Sequence, residues 1–429
     1  MFETETKLPR KHHRVTGNTK SVTVADRNSG PRPLAYAALE ISPLFEEFYS
    51  GIPVVTAQLA RHCMLDPTID WIFLYGSIIV PQDLVELLLV RRSGSSLLNE
   101  LPRIACNEGL IDIKEAARRV CLWPNVKSMA GKFAREAFII HDLSTLLTPQ
   151  HHHPDAIAHH SDRILADCRT SERVFCVSDA TRRDAMAYLN LPEEQTSILP
   201  LGVDYDEGSL YEEVLYQRQN ISERYIVVLG TIEPRKNGAI VIEMLARNPD
   251  IAKDYRIVIV GRDGWLGERE RLLSRVRDAN IDVDRIVFTG FVTDRVKLRL
   301  LLNAAFVIYP SFFEGFGLPV LEATTLGKIC VASKTSSIVE VAPSQSIFFD
   351  PLDPDSLLVA VRSAIAQSSS TGQKIMSFAD LRDRVRAHDW RRAYQHVREW
   401  VLSDAITREA QPQSHRVPIT QIARGEALK

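Results

Sequence analysis

The chain has no run of about 18 apolar residues, so no stretch of it reads as a membrane-spanning helix. Its six cysteines (Cys63, Cys106, Cys121, Cys168, Cys176 and Cys330) are scattered with no CxxC pair. That spacing argues against a disulfide framework or a zinc site and suggests free thiols in a reducing compartment. A net charge of −2 makes no general case for nucleic acid. No GxGxxG fingerprint follows any strand-like segment, which argues against a nicotinamide dehydrogenase. The N-terminal MFETETKLPRKHHR lacks an apolar h-region, so a secretory signal is not expected. What is present is ordinary globular material: 429 residues, 45% apolar and 25% charged, enough for two or three domains with large cores.

The informative centre is FVIYPSFFEGFGLPVLEATTLG, residues 306–327. Phe306–Tyr309 reads as a buried strand bounded by Pro310. A loop with Glu314, Gly315 and Gly317 follows. Pro319 opens a helical pattern that Gly327 closes. Strand, glycine loop and helix N-terminus form an anion site, because free backbone N–H groups and the helix dipole face the loop. Glu314 and Glu322 stand eight residues apart; a loop carboxylate reaches sugar hydroxyls and a first-turn carboxylate accepts from a ribose diol. Taken singly, Glu322 is also an ordinary first-turn acid and Gly317 an ordinary turn residue.

Together these residues resemble the donor-binding signature of retaining GT-B glycosyltransferases, glycosyltransferase family 4. The resemblance runs over roughly 230–365 and more loosely back to about Tyr36. It implies an α/β chain: two Rossmann-like domains face each other across a cleft, and a C-terminal helix crosses back to the first. The expected division is a tail at 1–33, an acceptor domain at 34–205 and a polar linker at 206–222. A nucleotide-sugar domain at 223–385, a crossover helix at 386–405 and a loose tail at 406–429 complete it. The first tail carries seven Lys/Arg against three Asp/Glu, so contact with an anionic membrane surface is weighed against plain disorder.

In the second domain, RYIVVLGTIEPRKNG reads as a strand, a loop opening at Gly230, and a turn with Arg235 and Lys236. Cations at such a turn stabilise the negative charge a leaving nucleoside diphosphate gains. By resemblance Lys236 is the catalytic lysine. Many members carry Arg directly after the glycine, where this chain has Thr231; Arg235 takes the second cation's place. Gly261 and Arg262 resemble the loop near the nucleotide, and Trp265 either covers it or only packs. Gly315, Phe316, Gly317 and Leu318 belong with the donor sugar, and Gly290–Val292 with the base.

In the first domain, Gly51 precedes a helical pattern at the place where the family's glycine loop meets the donor diphosphate. His141-Asp142 ends the strand Phe138–Ile140, where open α/β sheets bind ligands. On position alone His141 also reads as a cap of the strand end; by resemblance to the family's strand-end His-Asp it belongs in the site, and Asp142 either joins it or orients the loop. Residues 111–121 read as helix. Ser178 caps a helix, and by resemblance Ser178 and Arg182 touch acceptor. The histidines at 151–153, 159 and 160 lack a zinc spacing, and both a polar surface segment and acceptor contact are considered. Asp282-Val283-Asp284 and Asp353-Pro354-Asp355 read as a turn and a helix cap, so no metal and no cofactor is expected.

The expected activity is a metal-independent, retaining hexosyltransferase. Its partners are a nucleotide sugar, GDP-mannose first, and a glycan or lipid-linked glycan acceptor of surface polysaccharide or lipopolysaccharide synthesis. The expected location is cytoplasmic, including the inner membrane face. A sugar-nucleotide epimerase, an inverting transferase and a non-catalytic sugar-nucleotide binding subunit are the alternatives.

Overall fold

The computed structural model describes residues 32–219, 224–370 and 376–410. The tail at 1–33 falls outside these residues except for its last two positions. Among the described residues thirteen strands form two sheets. The first holds β1 (Ala35–Glu40), β2 (Ile69–Tyr75), β3 (Ile78–Val80), β4 (Val120–Trp123), β5 (Arg135–Ile140), β6 (Arg173–Cys176) and β7 (Thr196–Ile198), in the order β3-β2-β1-β4-β5-β6-β7. The second holds β8 (Tyr225–Leu229), β9 (Arg256–Val260), β10 (Ile286–Phe288), β11 (Phe306–Tyr309), β12 (Cys330–Ser333) and β13 (Ile347–Phe349), in the order β10-β9-β8-β11-β12-β13. All pairings are parallel except β2 with β3. Each sheet therefore reverses its order beside its first strand, at β1/β4 and β8/β11. Ligands of doubly wound sheets bind outside the carboxyl ends of strands at such a switch point.

The central strands are apolar on both faces because helices cover both sides; β4, β11 and β12 are buried throughout. Residues 111–121, expected as helix, split into one turn at Ile113–Ala116 and the start of β4. A four-residue apolar strand gives no alternation for a sequence pattern to show. The polar stretch expected as a linker folds as the helix Glu207–Gln219, whose Leu210 and Val214, one turn apart, are buried against the core of the second sheet.

The helix Arg391–Ala410 crosses back to the first domain. Trp390, Ala393, Tyr394, Val397 and Trp400 are buried in its core with β1 and β5 residues. It runs into the segment expected as a loose tail from 406; residues 411–429 lie outside the described ones. No helix among the described residues is long and apolar enough to cross a membrane.

Candidate active site

A cavity of about 780 Å³ opens between the carboxyl ends of the two sheets, lined by both domains. The loop after β11 forms one wall. Gly317 (φ 96°) turns the chain into the helix Leu318–Thr325 and Gly327 (φ 74°) turns it out; only glycine enters that region at little cost. Glu322 is the fifth residue of this helix, so it belongs to the second turn and not the first.

Glu314 is 7% exposed and held by cations from the loop after β8. Its Oε1 lies 2.6 Å from Lys236 Nζ and its Oε2 3.1 Å from an Arg235 Nη. Burial alone would raise its pKa, but Lys236 and Arg235 bring it down to about 2. Arg235 also pairs with Glu233 at 2.8 Å and donates to Phe313 O at 2.7 Å; Lys236 Nζ donates to the Tyr309 hydroxyl at 3.1 Å. The short turn Pro234–Lys236 places both cations, with Asn237 in the left-handed region behind them. Gly230 and Gly261 bring the loops after β8 and β9 together, since a Cβ on Gly261 would stand 1.9 Å from Gly230 O.

Glu322 is paired with Lys297, Oε1 to Nζ at 2.6 Å, and Lys297 also faces Asp294. These two carboxylates raise the lysine's pKa against the effect of burial. Lys297 lines the cavity and escaped the sequence reading. Its signal was only a basic residue on the helix that follows the β10 loop.

From the first domain come Gly51 and His141. Gly51 (φ 59°) caps the helix Ile52–Leu65. His141 is half-buried, and its Nε2 lies 2.7 Å from Pro124 O. A carbonyl only accepts, so Nε2 carries the proton and Nδ1 is left as an acceptor. Burial lowers the ring's pKa, which keeps it neutral and suits it to a hydroxyl more than to a developing charge. Asp142 accepts from Ser144 N at 2.9 Å and Ser144 Oγ at 2.6 Å, which orients the loop.

Arg262, Phe316 and Leu318 also line the cavity. Ser178 and Arg182, expected at the acceptor, do not line it. Ser178 is 1% exposed; its Oγ accepts from Thr181 N as a helix cap and donates to Gly315 O at 2.6 Å. Arg182 points to Asp179 and Glu193.

The histidine segment bridges the domains. His151 stacks on Phe312 with ring centroids 4.8 Å apart, His152 stacks on Trp265, and Trp265 Nε1 donates to His151 O at 3.0 Å. Among the described residues no group of three or more His, Cys, Asp or Glu is arranged to hold a metal ion.

Residues 216–378 match the family model described as "Glycosyl transferases group 1". The Anabaena HepE structure with UDP and glucose has the same architecture, with a TM-score of 0.61 and 17% identity over 86% of this chain and 100% of that one. WaaG, a glycosyltransferase of lipopolysaccharide biosynthesis, gives 0.56 and 14% over 85% and 99%. Residues 216–378 are thus similar to the group 1 glycosyltransferases, and the fold is that of GT-B enzymes. The sequence is also similar to that of mannosyltransferases. It is 27% identical over 243 residues to the O-antigen chain mannosyltransferase B of Escherichia coli, covering 56% of this chain and 63% of that protein. It is 29% identical over 210 residues to the GDP-mannose-dependent alpha-(1-6)-phosphatidylinositol dimannoside mannosyltransferase of Mycobacterium tuberculosis (strain ATCC 25177 / H37Ra), covering 47% and 52%. The chain thus spans less than two thirds of the length of these relatives.

Proposed function

We propose that this chain is a retaining hexosyltransferase that moves mannose from GDP-mannose to a glycan or lipid-linked glycan of surface polysaccharide. The observation that carries the reading is the gathering of Arg235, Lys236 and Glu314 in one cavity with Glu322 and the Gly315–Leu318 backbone. The mannosyltransferase relatives support the sugar and the class of acceptor.

In this reading Glu322 takes the ribose diol. Arg235 and Lys236 take the diphosphate and stabilise its growing charge as the anomeric bond stretches; one donor of this kind is worth about 10²–10³ in rate. Glu314 holds both cations in place and faces sugar hydroxyls. His141, neutral, accepts from a donor hydroxyl through Nδ1. Closure of the domains excludes water and limits hydrolysis. Neither Glu314, with both oxygens on cations, nor Asp142, held by Ser144, is free to act as a nucleophile. This argues against double displacement through either carboxylate, so retention proceeds by same-face attack, the leaving phosphate taking the acceptor's proton. The acceptor lies on the side of the first domain, at the inner face of the membrane.

The test is a screen of nucleotide sugars, including UDP-glucose, that follows release of nucleoside diphosphate by wild type and Lys236→Ala. Turnover of GDP-mannose, lost by about 10²-fold or more in the variant, supports the reading. Binding of a donor with no turnover in the presence of any glycan acceptor leaves the non-catalytic subunit. The anomeric configuration of the product decides between retention and inversion.

A further inference from the structure

Elements from opposite domains close around the loop at Glu314–Phe316, and the first domain grips the Gly315 carbonyl. From the first domain, Ser178 Oγ donates to it at 2.6 Å and Thr181 Oγ1 at 3.0 Å. These residues open the helix Asp179–Leu189. From the second domain, Ser337 Oγ lies 2.8 Å from Glu314 O and 3.0 Å from Phe316 O, while Ser336 Oγ accepts from Glu314 N at 3.0 Å. Ser337 starts the single turn Ile338–Val341, and that turn carries Glu340. The ring is completed by Glu340. Its two carboxylate oxygens accept from Asp179 N at 2.8 Å and Ala180 N at 3.1 Å, the free first-turn N–H groups of the first-domain helix.

We propose that Glu340 is a positioning residue that latches the two domains in the arrangement where the Glu314 loop meets His141; the inference rests on the transferase reading. A carboxylate at a helix N-terminus is favoured by the dipole and by two charge-assisted hydrogen bonds. Both N–H groups are first-turn donors with no partner inside their own helix, so opening returns them to water at little cost. Glu340 is also exposed, and exposed charge contacts add little to stability. A contact of this kind is made and broken in each cycle. It touches neither the cations nor Glu322, so it acts on closure and not on nucleotide affinity.

The experiment uses the full chain with Glu340→Ala and Glu340→Gln. The expected result for Glu340→Ala is kcat down about two- to fivefold, the size of an exposed charge contact made only in the closed state. The ratio of donor hydrolysis to transfer rises, the Kd for GDP stays within about twofold, and the amides of Asp179 and Ala180 exchange faster. Glu340→Gln, whose side-chain oxygen accepts one N–H, recovers part of each. Unchanged kcat and unchanged amide exchange overturn the proposal. So does a loss of kcat, GDP affinity and Tm in step, which marks a merely structural role. If wild type turns over no nucleotide sugar, the transferase reading fails by itself. Amide exchange then decides the latch, faster exchange in the alanine variant supporting it and unchanged exchange overturning it.

Discussion

Glu314 Oε1 lies 2.6 Å from Lys236 Nζ, and its other oxygen meets Arg235 at 3.1 Å, with all three side chains mostly buried. Removing one member of a buried ion cluster leaves the others uncompensated, at about 3–5 kcal/mol. Glu314→Gln is therefore expected to lower the Tm at pH 7 by several degrees. GDP should restore more of the Tm in the variant than in wild type, because the diphosphate replaces the lost anion. The folded pKa of about 2 lies below the ordinary carboxylate value of about 4.3. The stabilisation is thus present above about pH 4.3 and lost as pH falls toward 2, so the gap in Tm should close on acidification. Equal shifts by GDP in both proteins would remove the diphosphate from this position.

His152 carries a pH dependence in the opposite kind of group. Burial, and then Arg235, push its pKa down to about 4; Asp142 opposes this, while His151 and His160 add to it. Its Nε2 is buried without a hydrogen-bond partner among the described residues. The unfolded chain binds the proton below about pH 6.5 and the folded one only near 4. Stability is therefore fully present above about 6.5 and falls as pH drops toward 4. His152→Gln should flatten the slope of Tm against pH in that window without abolishing it, since His141, His151 and His160 are also pushed down by burial. A slope identical to wild type would show that protonation of His152 is not coupled to folding.

Much of this site was legible because its chemistry is local in sequence. The strand, glycine loop and helix of 306–327 are contiguous, and so is the Arg235-Lys236 turn. What stayed hidden depends on contacts between distant segments. β4 is four buried residues with no periodicity. The helix Glu207–Gln219 reads as polar because, among its described apolar side chains, Leu210 and Val214 are the two buried in the core. Lys297 meets Glu322 across a helix–helix contact 25 residues apart. Ser178 was correctly legible as a cap, but the capping pattern is silent on Gly315, 137 residues away.

Ser178→Ala separates the cap from the acceptor. The hydroxyl accepts from Thr181 N at 3.0 Å and donates to Gly315 O at 2.6 Å. Losing a Ser cap costs about 1 kcal/mol, and the Gly315 carbonyl keeps only the Thr181 hydroxyl from this side. The expected outcome is a small fall in Tm and a lower kcat with an unchanged KM for acceptor. A raised acceptor KM at constant kcat would return Ser178 to the acceptor site, against its burial.

Gly315→Ala tests the approach of the two domains most directly. A Cβ there would stand 1.6 Å from His141 O and 2.8 Å from Asp142 Cβ. The nearest obstacle is backbone, so no rotamer relieves it. Either the loop withdraws, taking Glu314 from Arg235 and Lys236, or the domains part. A misplacement of about 1 Å at a reacting centre costs about 10²-fold, so transfer should fall by at least that factor. If the domains part, the Tm without donor should change little; if the loop withdraws, the Tm should fall by several degrees, as in Glu314→Gln. Donor hydrolysis, which needs the second domain's groups but less of the first's, should fall less than transfer. Equal loss of both would mean that the loop has withdrawn and the cations have lost Glu314. Wild-type transfer would mean that the contact between Gly315 and His141 is not made when sugar is transferred.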